Sequence, residues 1–224
     1  PLPQSYLTFQ VTHDAPEVVD PPVMDNGFIT FGSLVTLYKM TVPTLDAWAD
    51  ILLAVDDSRL LLGNADLDSE TTRDYVRARF DDRGVNASRL IFRGKAEHRQ
   101  FLSYYNEIDI ALDAFPYNGG TTTMEAIWQG VPVITFLGDR WASRTSASLL
   151  QGTHLQSFVA DDRDGYVAQA VEQANQTNAP ERLRDLRHQM RIELADSQVC
   201  DATAFAAAME QTYRRMISEG GVGD

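Results

Sequence analysis

The sequence predicts a doubly wound α/β domain, with a parallel sheet covered by helices on both faces, followed by a helical tail. Three observations predict it. Short apolar runs alternate with longer amphipathic stretches between residues 27 and 150. Gly or Asn residues punctuate the ends of those runs, as at Gly32, Gly63-Asn64, Gly84 and Gly130. From Asp164 onward only helical periodicity remains.

The elements follow in order. Residues 1–26 hold Pro1, Pro3, Pro16, Pro21 and Pro22 among acids. Proline fixes φ and removes a donor, so this reads as an extended linker lying on a surface. Phe28-Ile29-Thr30-Phe31 is a strand ending at Gly32, and residues 44–55 carry Leu45, Trp48, Ile51 and Leu52 at helical spacing behind Pro43. Leu60-Leu61-Leu62 is a buried strand, 69–83 a charged outer helix ending at Gly84, and Leu90-Ile91-Phe92 the next strand. A short helix over 97–105 precedes a strand at 108–112. Residues 122–129 form a helix stopped by Gly130, 131–136 a strand, and 144–150 a helix. The remainder reads as helices over 165–176, 180–196 and 202–218. The division is a linker over 1–26, a lobe over 27–179 and C-terminal helices over 180–224.

At 224 residues the chain holds one full α/β domain, and its 44% hydrophobic content suffices for a sizeable core. A formal net charge of -13 does not attract phosphate backbones, which argues against a nucleic-acid partner. The single cysteine, Cys200, allows no internal disulfide and fits a reducing compartment. No apolar run reaches the ~18 residues of a membrane helix. No signal-peptide pattern opens the chain, and its start at Pro1 suggests a segment of something longer. His13, His154 and His188 lack Cys or His partners nearby, so a metal site is not expected.

In an open parallel sheet ligands sit beyond the carboxyl ends of the strands, so the strand-to-helix junctions carry the information. The segment from Asp113 through Pro116-Tyr117-Asn118-Gly119-Gly120-Thr121-Thr122-Thr123 to Glu125 is such a junction. Gly119 and Gly120 let backbone approach a ligand, and the threonines add hydroxyls at a positive helix end, a composition suited to phosphate. The same residues also make an ordinary turn and cap. Neither a G-x-G-x-x-G fingerprint nor a G-x-x-x-x-G-K-[ST] loop occurs. Local chemistry stops at an anion site.

The run from Phe115 to Thr135 resembles the donor-site segment of the O-GlcNAc transferase and SPINDLY family. Gly138 to Arg144 with Ala147 to Leu150 resembles the segment that follows it, and Ile29 to Ser33 with Leu37-Tyr38-Lys39 the first strand and loop of the C-terminal catalytic lobe. The resemblance implies a Rossmann-like fold, the C-terminal lobe of a GT-B glycosyltransferase of glycosyltransferase family 41 type. It also implies, in the longer protein, an N-terminal lobe and tetratricopeptide repeats, and a cytoplasmic setting.

By the same resemblance Lys39 is the catalytic lysine that meets the donor diphosphate, where an ammonium does electrostatically what a metal does elsewhere. Thr121, Thr122 and Thr123, on the Asn118-Gly119-Gly120 turn, match the phosphate donors. Glu125 matches a carboxylate for the ribose hydroxyls, although an acid in a first helical turn is also a routine dipole partner. Lys95, His98 and Phe101, with Arg93, fall in the loop that receives the nucleobase, though Phe101 equally suits the core face of its helix. Ser143 and Arg144 read as structural, and Trp48 and Trp128 as core.

The chain departs from the pattern in places. Gly120 stands where O-GlcNAc transferases carry His, Glu125 where they carry Asp, and Thr36 where the family has an amide. The first two lie closer to the SPINDLY branch. The expected function is inverting, metal-independent transfer from a UDP-GlcNAc-type donor to Ser or Thr of an acceptor protein, with no cofactor. The alternatives are a GDP-fucose-using lobe and a degenerate scaffold module. Groups acting on the acceptor belong to the absent lobe, so the isolated chain is expected to bind nucleotide weakly and transfer nothing.

Overall fold

Six parallel strands in the order β3-β2-β1-β4-β5-β6 form the sheet of the computed structural model, which describes residues 6–11 and 14–220. Pro1, Pro3 and His13 lie outside the described residues. After a one-turn helix α1 (Val23–Asn26), β1 (Thr30–Ser33), β2 (Arg59–Gly63) and β3 (Leu90–Arg93) run towards one edge. The chain then returns through α4 (His98–Ser103) to β4 (Ile110–Leu112) beside β1, and builds outward through β5 (Val133–Phe136) to β6 (Val159–Ala160). This reversal between β1 and β4 makes the sheet doubly wound.

Leu60, Leu61 and Leu62 are fully buried, as strands covered on both faces require. The joining helices are α2 (Val42–Ala54), α3 (Glu70–Asp81), α5 (Thr121–Trp128) and α6 (Thr145–Gln151). Thr41 caps α2, with Pro43 in its first turn, and Ser69 caps α3. Gly84 and Gly130 take positive φ where their helices end, a conformation that costs glycine nothing. Trp48 on α2 is buried and donates from Nε1 to the hydroxyl of Tyr166 on α7 (Arg163–Asn175), which ties two helices over the sheet.

The tail consists of α7, α8 (Ala179–Ala195) and α9 (Ala202–Gly220). Arg187 of α8 is 1% exposed and donates to the carbonyls of Ile108 and Tyr105, both at 2.8 Å. It thereby fixes the entrance of β4, and burial lowers its pKa to about 10. The leader crosses these helices: Phe9 N donates to Val199 O, and Arg191 donates to Pro16 O.

Two local differences from the sequence reading have physical causes. Val159–Ala160 is an edge strand of two residues, too short to leave an alternating pattern. Trp128 is half buried at the margin of the core rather than inside it, and Phe9 and the Arg191 guanidinium cover part of its ring.

Candidate functional site

Chain reversal at β1 and β4 leaves a crevice beyond their carboxyl ends, where the loops after the two strands face each other. A small cleft, open to solvent, lies there between Ser33 at the end of β1 with Leu34 and Val35 of the loop after it, and Asp113 after β4 with Thr122 and Thr123 at the start of the next helix.

The loop after β1 ends in a 3₁₀ turn, Leu37–Lys39, preceded by the exposed Thr36 in extended conformation. The turn aims Lys39 across the crevice. Its Nζ donates to the carbonyl of Asn118 at 2.7 Å and stands 4.0 Å above the centroid of the Tyr117 ring. The lysine and the Gly-Gly-Thr turn thus share one end of the sheet.

The turn after β4 is organised from beneath by Asp113. Its buried carboxylate accepts from Gly119 N (2.7 Å), Ala114 N (2.9 Å) and Thr135 Oγ1 (2.8 Å). Burial pushes its pKa up, and those hydrogen bonds oppose the shift. Asn118 is also buried: its side-chain amide donates to Ala114 O and its backbone N–H to Ala142 O. At Gly119 a Cβ would stand 2.4 Å from Thr123 Oγ1 and 2.9 Å from Thr122 Oγ1. At Gly120 the nearest atom would be Thr145 Cγ2 at 3.7 Å, so glycine is required sterically at the first position only.

Helix α5 begins at Thr121 with no side-chain cap, so the N–H groups of its first turn have no intrahelical acceptor. Thr121 is exposed and Thr122 half buried, while the Tyr105 hydroxyl holds Thr122 O at 2.8 Å. Two expected phosphate donors are otherwise engaged. The Thr123 hydroxyl is buried against Ser146 Oγ at 2.8 Å, locking α5 to α6, and Gly119 N–H serves Asp113. The groups open to an anion are the amides and hydroxyls of Thr121 and Thr122, with Lys39 opposite.

Further along α5, Glu125 is buried and its Oε1 accepts from His98 Nε2 at 2.8 Å. This contact brings the 93–101 loop against the helix. Lys95 is exposed, and its backbone N–H lies 3.3 Å from the Asp68 carboxylate. Phe101 packs edge-on against Tyr104 and Tyr105, so its ring lies against the core rather than in the cleft. Arg93 is paired with Glu107. Ser143 is buried against Arg140, and Arg144 donates to Gly138 O.

Asp113 and Tyr117 were not assigned roles from the sequence. A carboxylate directly after a strand was the available signal for Asp113; nothing local marked Tyr117. Among the described residues no three His, Cys, Asp or Glu side chains group as a metal site, and no helix is long and apolar enough to cross a membrane.

Comparison with known proteins agrees with this geometry. Residues 23–209 match the model of glycosyl transferase family 41. The chain is 35% identical over 219 residues to a protein of Hordeum vulgare described as a probable UDP-N-acetylglucosamine–peptide N-acetylglucosaminyltransferase SPINDLY, covering 96% of this chain and 23% of the relative. It is 29% identical to the UDP-N-acetylglucosamine–peptide N-acetylglucosaminyltransferase of Caenorhabditis elegans, over 84% of this chain and 16% of that protein. An O-GlcNAc transferase structure from Thermobaculum terrenum superposes with a TM-score of 0.80 at 33% identity, over 91% of this chain and 38% of that one. A sucrose-phosphate synthase from Thermosynechococcus elongatus, 16% identical with a TM-score of 0.58, shares the fold. The chain spans about a quarter of the curated SPINDLY relatives it matches. With its fold, its switch-point turn and these matches, the chain belongs to glycosyl transferase family 41, as a C-terminal lobe of the O-GlcNAc transferase and SPINDLY type.

Proposed function

We propose that the chain is the donor-binding lobe of an inverting, metal-independent enzyme that transfers a sugar from UDP-GlcNAc to Ser or Thr of a protein. The observation that carries this is the position of Lys39, whose ammonium reaches Asn118 O across the switch point beside the uncapped start of α5. An ammonium and a helix N-terminus facing one space are suited to a diphosphate. They offset the charge that develops on the nucleoside diphosphate as the sugar departs, the task a metal performs in other enzymes. Glu125 then accepts from the ribose hydroxyls, and the 93–101 loop with Lys95 and His98 receives the base. The printed names of the SPINDLY and O-GlcNAc relatives support UDP-GlcNAc as donor. Groups that act on the acceptor hydroxyl belong to the rest of a longer enzyme, so the lobe alone binds nucleotide without transferring sugar.

Calorimetry of the chain with UDP and with GDP tests the reading. Heat with UDP that falls by about ten- to a hundred-fold in affinity in Lys39→Ala is expected for loss of a charge-assisted contact. No heat with either nucleotide overturns it.

A further inference from the structure

Two consecutive residues of the turn after β4 hold the Lys39 ammonium: the carbonyl of Asn118 accepts from Nζ at 2.7 Å, and the Tyr117 ring lies beneath it, 4.0 Å from Nζ to the ring centroid. Neither contact brings a negative charge, and among the described residues no carboxylate is paired with this lysine. An ammonium has three N–H donors, and Asn118 takes one of them. The ring attracts the cation through its quadrupole. A carboxylate in the same place would compete with a phosphate for the charge.

The backbone that presents the ring is fixed on both sides. Phe115 O accepts from the hydroxyls of Thr41 at 2.8 Å and Thr44 at 2.5 Å. The buried Asn118 is tied by its backbone N–H to Ala142 O and by its side-chain amide to Ala114 O. From the facing loop Tyr38, next to Lys39, meets the Tyr117 ring at 5.9 Å between centroids. Tyr117 is nonetheless 44% exposed, so core packing does not account for an aromatic residue there. A lysine stem has four rotatable bonds, and freedom lost only on binding weakens the contact that results. We infer that Tyr117 is a positioning residue, which holds the Lys39 ammonium over the crevice before a ligand arrives and leaves its remaining N–H groups for the diphosphate. This rests on the donor-binding reading for the role of Lys39, and it gives the ring no contact with the donor.

A double-mutant cycle in UDP affinity tests it, using the chain, Tyr117→Ala, Lys39→Ala and the double variant. Calorimetry reads the affinities, with ligand-observed NMR for the weak binders. Tyr117→Ala is expected to weaken UDP about three- to ten-fold, and Tyr117→Phe, which keeps the ring face, to stay near the parent. With Lys39→Ala already in place, removing the ring should change nothing further. A ring that only packs the turn, or that touches the nucleotide itself, weakens UDP equally in both backgrounds. That result overturns the inference and leaves the donor-binding reading intact, as does an unchanged affinity in Tyr117→Ala. A parent chain that binds no UDP, or a Lys39→Ala variant that binds it as the parent does, overturns both.

Discussion

The ammonium of Lys39 donates to the backbone carbonyl of Asn118 at 2.7 Å, joining the loop after β1 to the turn after β4 at the point where the sheet reverses. This contact gives Lys39 a place at the ligand end of the sheet that its sequence neighbourhood alone did not guarantee. Lys39 is half buried, and its head group meets the Asn118 carbonyl and the Tyr117 ring. In the full-length enzyme, Lys39→Ala is expected to lower kcat by about 10²- to 10³-fold, as loss of one preorganised charge-stabilising donor does. Thermal unfolding should change by less than about 1 kcal/mol. A large melting shift with an unchanged rate makes the lysine structural.

The two glycines of the turn should respond differently to the same change. Gly119→Ala places a methyl 2.4 Å from Thr123 Oγ1, in a hydroxyl pair that locks α5 to α6. The turn must shift, costing about 1–3 kcal/mol and UDP affinity with it. Gly120→Ala meets nothing closer than 3.7 Å and should be nearly neutral in denaturant unfolding. Equal costs at the two positions contradict the packing described for the turn.

Asp113 holds the turn by accepting from its backbone N–H groups. Asp113→Ala leaves the N–H groups of Gly119 and Ala114 without their acceptor in the interior, and should cost about 2–4 kcal/mol. Urea unfolding measures it. A cost below about 0.5 kcal/mol means that the carboxylate does not hold the turn.

Asp109 predicts a pH dependence. Its carboxylate accepts from Val23 N and Thr30 N, but burial dominates and raises its pKa from 3.8 to about 6. The folded state therefore holds this proton more tightly than the unfolded chain. Stability falls as pH rises from near 3.8 to about 6 and is level above that window, by roughly 3 kcal/mol in all. Subtracting the stability curve of Asp109→Asn from that of the parent isolates this contribution. A difference that rises with pH across the window contradicts the assignment.

Much of the fold was legible because β2 and α3 announce themselves locally: a triple-leucine strand, Ser69 at a cap, Gly84 at a helix end. β6 was not, since two residues paired to Thr135 and Phe136 carry no periodicity of their own. At the site, composition indicated an anion-binding helix start, and the resemblance indicated which residues surround it. Which hydroxyls and amides remain open was not legible. Thr123 and Thr122 are adjacent and identical in type, yet Ser146, twenty-three residues beyond Thr123, takes the hydroxyl of one. The His98–Glu125 pair and the Asp113–Gly119 bond are likewise made by the tertiary fold.

A crystal structure of the chain with UDP tests the central claim most directly. The diphosphate should lie against the N–H groups of Thr121 and Thr122, with the Lys39 ammonium within about 3 Å of a phosphate oxygen, a normal charge-assisted distance. A diphosphate bound away from the start of α5, or bound there with Lys39 still held on Asn118 and remote from phosphate, contradicts it.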